Sequence, residues 1–160
     1  KEQLVTLEED LENTQSYLDC MKFRYMDDLT YSFEVPDELL QIKIPKLSTQ
    51  LLVENSIKYA SLKSAPWHIH IRCYRKNNDW YIAVRDNGFG FDDQVLQDLK
   101  DKMNKINENN LLPNLELDGM GLMNIFIRLK LLYNRSAKFE IHNLDGGGCE
   151  VTIGGCIIYE

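Results

Sequence analysis

Arg85-Asp86-Asn87-Gly88-Phe89-Gly90-Phe91 constrains this chain more than any other stretch. It follows Trp80-Tyr81-Ile82-Ala83-Val84, an alternating run rich in β-branched and aromatic residues, so the spacing predicts a strand that turns abruptly at the acid. An acid at a strand end, followed by two glycines one residue apart, can set one carboxylate deep in a pocket. Glycine has no Cβ and tolerates positive φ, so a flat ligand can approach the main chain closely at Gly88 and Gly90. A purine is such a ligand. Its exocyclic amine is a donor and a buried carboxylate only accepts, so Asp86 could select adenine, which has a donor where guanine has a carbonyl. Taken alone, the same residues also suit a plain strand-terminating turn.

Two further stretches favour the ligand reading. Upstream lies Leu51-Leu52-Val53-Glu54-Asn55-Ser56-Ile57-Lys58-Tyr59-Ala60, and downstream Asp118-Gly119-Met120-Gly121-Leu122-Met123-Asn124-Ile125. In that order, with the Asp86 turn between them, they resemble the N, G1 and G2 boxes of the Bergerat-type ATP-binding fold. Sensor histidine kinases, type II topoisomerases, Hsp90 chaperones and a mismatch-repair ATPase share that fold. The wording is most similar to the catalytic domain of LytS/YesM-like sensor histidine kinases, and the resemblance covers essentially the whole chain. The Asp145-Gly146-Gly147-Gly148 run resembles the family's last box, with Cys149 where a threonine is usual.

Other glycine motifs do not compete. A dinucleotide-binding turn wants a preceding strand and a third glycine, whereas polar Glu116-Leu117-Asp118 precedes and Asn124 stands at the third place. A P-loop wants Gly-Lys-Ser or Gly-Lys-Thr, and neither occurs.

The charge balance, 18 basic against 25 acidic residues and a net charge of -7, argues against a nucleic-acid surface. Cys20, Cys73, Cys149 and Cys156 show no Cys-x-x-Cys spacing, which argues against zinc and for reduced thiols. No apolar stretch approaches the roughly 20 residues that cross a bilayer. With Lys1 in place of an initiating methionine, we expect a cytoplasmic piece of a longer, membrane-bound sensor whose membrane part lies upstream.

Along the chain, Leu4, Leu7, Leu11, Thr14, Leu18, Met21 and Tyr25 alternate at spacings of three and four, with Thr6 and Glu9 as a capping pair. Two readings fit: a helix lying on its own domain, or the C-terminal part of a dimerisation helix over residues 1–27 that pairs with a second subunit. Residues 28–160 would then form the ATP-binding catalytic domain. Strands are expected from Leu29, from Trp67, up to Asp86, over Lys138–Leu144 and over Cys149–Tyr159. Pro45 should open a helix that runs to Ala60 and is mostly buried, making Asn55 and Lys58 unexpected tenants. Another helix should run from Gly121 to Tyr133, with Gly121, Asn124 and Arg128 on one face. Between them, about 91–118, we expect a nucleotide lid: a helix over Asp93–Ile106 and then an asparagine-rich loop. His68 and His70 share a strand face, which invites a metal reading that no further ligand completes. The expected fold is an α/β (α+β) two-layer sandwich, a mixed β-sheet covered on one face by helices and preceded by the N-terminal helix.

The resemblance implies roles. Asn55 would offer its amide oxygen to Mg²⁺, which takes hard oxygen ligands while bridging the phosphates of ATP. Lys58, Asn124 and Arg128 would approach phosphates or metal-bound water, and Tyr59 and Leu122 would line the nucleotide. Gly119 and Gly121 would present free helix-start N–H groups to phosphate oxygens. Glu54, beside Asn55 but about 100° around the helix, is the candidate for a catalytic base or metal-site role. In the hydrolysing relatives a glutamate one turn before the asparagine activates water; Leu51 stands there and cannot take a proton. Phosphoryl transfer to a histidine is therefore implied, on an upstream helix, for relay to a response regulator, in a protein that is a homodimer at full length. His68, His70 and His142 fall in predicted strands, so the acceptor is expected outside this chain.

Overall fold

The computed structural model describes residues 3–109 and 121–158. Five strands form its main sheet: β2 (Leu29–Glu34), β4 (Trp67–Lys76), β5 (Asp79–Asp86), β6 (Lys138–Asn143) and β7 (Cys149–Cys156), ordered β2-β4-β5-β7-β6. β2 runs parallel to β4 and the remaining pairs are antiparallel, which makes the sheet mixed as expected. Alternation decides its two faces. Ile69, Ile71 and Cys73 of β4 are buried, as are Trp80, Ile82 and Val84 of β5 and Cys149, Val151 and Ile153 of β7. Against this face pack α2 (Ser48–Ala60) and α4 (Gly121–Tyr133), and α3 (Asp93–Asn109) rests on α4 through a stripe including Leu99, Met103 and Ile106.

The N-terminal segment differs from expectation in two places. Leu4–Thr6 is not helical but a short strand, β1, antiparallel to β3 (Lys43–Pro45). Pro45 therefore ends a strand instead of opening a helix, and Leu47, at φ 68°, stands before the first turn of α2. Thr6 then caps α1 (Leu7–Tyr25), its Oγ1 accepting the Glu9 N–H at 3.1 Å. Glu8, Glu9 and Asp10 in its first turn and Lys22 and Arg24 in its last complement the helix dipole.

Leu7, Leu11, Thr14 and Leu18, four positions of the heptad-like seam, are buried against the domain, and Met21 and Tyr25 pack on the same core. Within this chain the helix lies along its own domain. Leu7, Leu11 and Leu18 share one hydrophobic core with α2 and the sheet.

Candidate functional site

Parity carries Asp86 inward. It follows Trp80, Ile82 and Val84 on the buried face of β5 and sits in register between Ile69 and Cys149. The residue is 6% exposed, at the end of the central strand where the chain turns. Burial raises its carboxyl above the usual carboxylate range, while the backbone N–H groups of Gly88 and Cys149 pull it back. Oδ1 accepts the Gly88 N–H at 2.9 Å.

The turn after Asp86 is pinned from three sides. A Cβ on Gly88 would lie 2.8 Å from Cα of Ala60, so only glycine lets this loop lie on the end of α2. Gly90 has φ +81° and faces Asn143, whose Oδ1 accepts the Phe91 N–H and whose Nδ2 donates to the Phe91 carbonyl, both at 2.8 Å. The Phe91 ring lies 5.0 Å from that of Tyr59. Beneath, a Cβ on Gly148 would fall on the Asp86 carbonyl oxygen, and its φ is +96°. Asn87 turns the other way, its Oδ1 accepting the His68 N–H and its Nδ2 donating to the Pro66 carbonyl.

On α2, Asn55 and Tyr59 are four residues apart and share a face. Asn55 is only 9% exposed, yet among the described residues no hydrogen bond engages its side-chain amide. An amide oxygen without a protein partner, on a residue that is mostly buried, suits a hard cation, and Asn55 fits Mg²⁺ on that ground. Lys58 departs from the expected burial: it is exposed, with Nζ 5.6 Å from the centre of the Tyr59 ring. Glu54 lies off the Asn55 face. It accepts from Gln50 at 3.2 Å and is felt by Tyr17 of α1, whose hydroxyl is raised first by burial and then by this carboxylate.

At the start of α4, Gly121 and Asn124 are exposed and Leu122 is buried. Gly119 lies outside the described residues, as does the 110–118 part of the expected lid. The described part of that lid is helical through Asn109, so Asn107-Glu108-Asn109 continue α3 instead of opening a loop. Arg128 sits with the first turn of α2, its Nη2 donating to the Lys46 carbonyl at 2.6 Å.

His68 and His70 are spoken for by hydroxyls on the neighbouring strand: Thr30 Oγ1 lies 2.7 Å from His68 Nδ1, and Ser32 Oγ lies 2.6 Å from His70 Nδ1. Among the described residues no group of three His, Cys, Asp or Glu could hold a metal ion. Cys149 is buried beside Asp86, and burial pushes its thiol up to about 12. It belongs to the Asp86 end of the site. Sequence reasoning missed Asn143 and the tight fit at Gly148, because both act on residues more than 50 positions away and nothing local distinguishes them.

Comparison with known proteins agrees with this geometry. Residues 47–154 match the family described as histidine kinase-, DNA gyrase B-, and HSP90-like ATPase. The sensor protein LytS of Oceanobacillus iheyensis is 36% identical over 147 residues, 91% of this chain and 24% of that protein. The sensor histidine kinase YesM of Bacillus subtilis is 28% identical over 154 residues, 96% of this chain and again 24% of that one. The chain therefore spans about a quarter of the length of these curated relatives. Among solved structures, the catalytic domain of histidine kinase ThkA superposes with a TM-score of 0.68 at 14% identity, covering 98% of this chain and 97% of that one. The mycobacterial sensor histidine kinase MprB gives 0.62 at 14% identity, covering 98% of each. At such identities the likeness speaks for the fold, a mixed sheet with helices on one face. Buried Asp86, the glycine turn seated on α2 and the family match over two thirds of the chain lead to one assignment: the chain belongs to the histidine kinase-, DNA gyrase B- and HSP90-like ATPase family.

Proposed function

We propose that this chain is the ATP-binding catalytic part of a sensor histidine kinase, passing the γ-phosphoryl group of Mg-ATP to a histidine on a helix outside it. The observation that carries the reading is Asp86, buried at a strand end beside a glycine turn; in this reading its carboxylate accepts from the adenine amine. Asn55 holds Mg²⁺ through its amide oxygen, and the bound cation supplies charge neutralisation across the phosphates. Tyr59 and Leu122 line the nucleotide, Gly88 and Gly90 let its base approach, and Lys58, Gly119, Gly121 and Asn124 serve its phosphates. Arg128 serves them too, from α4, where it also donates to the Lys46 carbonyl just before α2.

Transfer is favoured over hydrolysis because Leu51, one turn before Asn55, can take no proton from water, and Glu54, off the Asn55 face, is engaged by Gln50. The missing base disfavours an ATPase on the same fold, and the long N-terminal helix, Leu7–Tyr25, speaks against a compact serine kinase. His68, His70 and His142 lie in β4 and β6, where none can sit on a helix as acceptor. The wider setting follows from the reading: a homodimeric, membrane-anchored sensor whose catalytic part faces the cytoplasm and whose phosphohistidine feeds a response regulator. None of its roles calls for nucleic acid.

The test is incubation with γ-labelled ATP and Mg²⁺, with and without the segment that precedes this chain in its parent protein. Acid-labile, base-stable label on the added segment is expected. Label on this chain itself, or release of free phosphate without an acceptor, would overturn the reading.

A further inference from the structure

The start of α2 is built by other segments, not by its own residues. Leu47, which precedes the helix, occupies the left-handed region at φ 68°, unusual for a bulky side chain, and no side chain of its own segment caps the first turn. The cap comes from α1. Asp10, fully buried, accepts the Leu47 N–H on Oδ1 at 2.7 Å and the Thr49 N–H on Oδ2 at 3.0 Å. These are two of the orphan donors that any helix start presents. Around them, Lys46 donates its N–H to the Gln3 carbonyl at 2.9 Å, and Arg128 of α4 donates to the Lys46 carbonyl. Burial raises the Asp10 carboxyl above its usual range, and the Thr49 and Leu47 donors and the Arg128 charge pull it back.

A charged side chain with no exposure is costly to keep, and for Asp10 the return is geometric. An ordinary cap from residue 47 itself would hold α2 wherever α2 lay. A cap supplied from α1 fixes α2 relative to α1 and, through Lys46 and Arg128, relative to α4, the helix that opens at Gly121. Asn55 stands eight residues on from Leu47, roughly 12 Å along the axis, so an error at the start is carried to it by a stiff helix.

We infer that Asp10 is a positioning residue of the nucleotide site, acting through α2 to set where the Asn55 amide meets the cation. The inference rests on the reading of Asn55 given above. Asp86, on β5, has its own supports in Gly88 and Cys149 and is not held by Asp10. Loss of Asp10 therefore weakens the part of nucleotide affinity that depends on Mg²⁺ and spares the part that does not.

The experiment is calorimetric titration of ADP, with Mg²⁺ and again in EDTA, into the wild-type chain, Asp10→Asn and Asp10→Ala, below the melting temperature of each. Asp10→Asn keeps the size and one acceptor oxygen, so it preserves the fold should Asp10→Ala lose it. The expected result is a fall of about fivefold in the Mg²⁺ enhancement of binding, the scale of losing a helix cap, with affinity in EDTA within about twofold of wild type. Variants that melt earlier but keep the wild-type enhancement would overturn the inference, as would equal losses with and without Mg²⁺. Wild-type protein that binds ADP without any Mg²⁺ enhancement would sink the Asn55 reading first.

Discussion

The two ends of the proposed nucleotide site are built differently. At the base end, Asp86 is buried, Gly88 lies on Ala60, Gly148 lies under the Asp86 carbonyl, and Asn143 clasps both polar groups of Phe91. At the phosphate end, Lys58, Gly121 and Asn124 are exposed, and among the described residues an added Cβ on Gly121 would meet nothing within 4 Å. The first end is part of the core and exists before any ligand arrives. The second consists of side chains whose positions cost the fold little. Changes at the base end should therefore move stability and binding together, whereas changes at the phosphate end should move binding alone.

The sharpest break of this contrast is Gly148→Ala. Its Cβ meets backbone that cannot step aside and its φ of +96° suits no L side chain, so we expect a loss of about 3 kcal/mol, overpacking and strain combined. For a domain of this size that lowers Tm by roughly 6–12 °C in a thermal melt. An unchanged melt would mean the loop is not packed as described.

Asp86→Asn comes next and separates the two quantities. Asparagine keeps an acceptor for the Gly88 N–H and removes a buried charge but sets its NH2 against the Cys149 N–H, so the ligand-free Tm should move by no more than about 2–4 °C, equivalent to about 1 kcal/mol. Nucleotide-induced stabilisation should vanish in the same melts, because an amide placed against the adenine amine no longer only accepts. Asn55→Ala should leave the ligand-free melt nearly unchanged and lower Mg-ADP affinity at least about tenfold by calorimetry, the scale on which even outer metal partners act. Lys58→Ala should show the smallest binding effect, less than about fivefold, with stability within about 0.5 kcal/mol.

The pH dependence follows from the same burial. Asp86 and Asp10 both hold protons more tightly folded than unfolded, so the folded state binds more protons and stability falls as pH rises above the ordinary value of 3.8. Asp86→Asn should flatten that fall in a series of melts. A fall as steep as wild type would remove Asp86 as its source.

What was legible in the sequence was what local period and parity control. Alternation placed Asp86 on the inward face two residues beyond Val84, and helical spacing ended α4 at Tyr133. What was not legible depended on distant partners. Leu4–Thr6 reads as the first turn of a helix until it is paired with Lys43–Pro45, some 40 residues on, and the same pairing turns Pro45 from a helix opener into a strand end. An acid in the first turn of α1 suggests a complement to that helix's own dipole, and nothing nearby says that Asp10 caps α2 instead. The seam of α1 shows an apolar face but not which surface it covers.

The central claim is that a single buried carboxylate reads the base, and the most direct measurement is calorimetric titration of the wild-type chain with Mg-ADP and with Mg-GDP. Guanine presents a carbonyl where adenine presents its amine, so against Asp86 it sets acceptor to acceptor. The account predicts measurable binding of ADP and affinity at least about tenfold weaker for GDP, the scale of one charge-assisted hydrogen bond lost in a buried site. Equal affinities for the two nucleotides would contradict it.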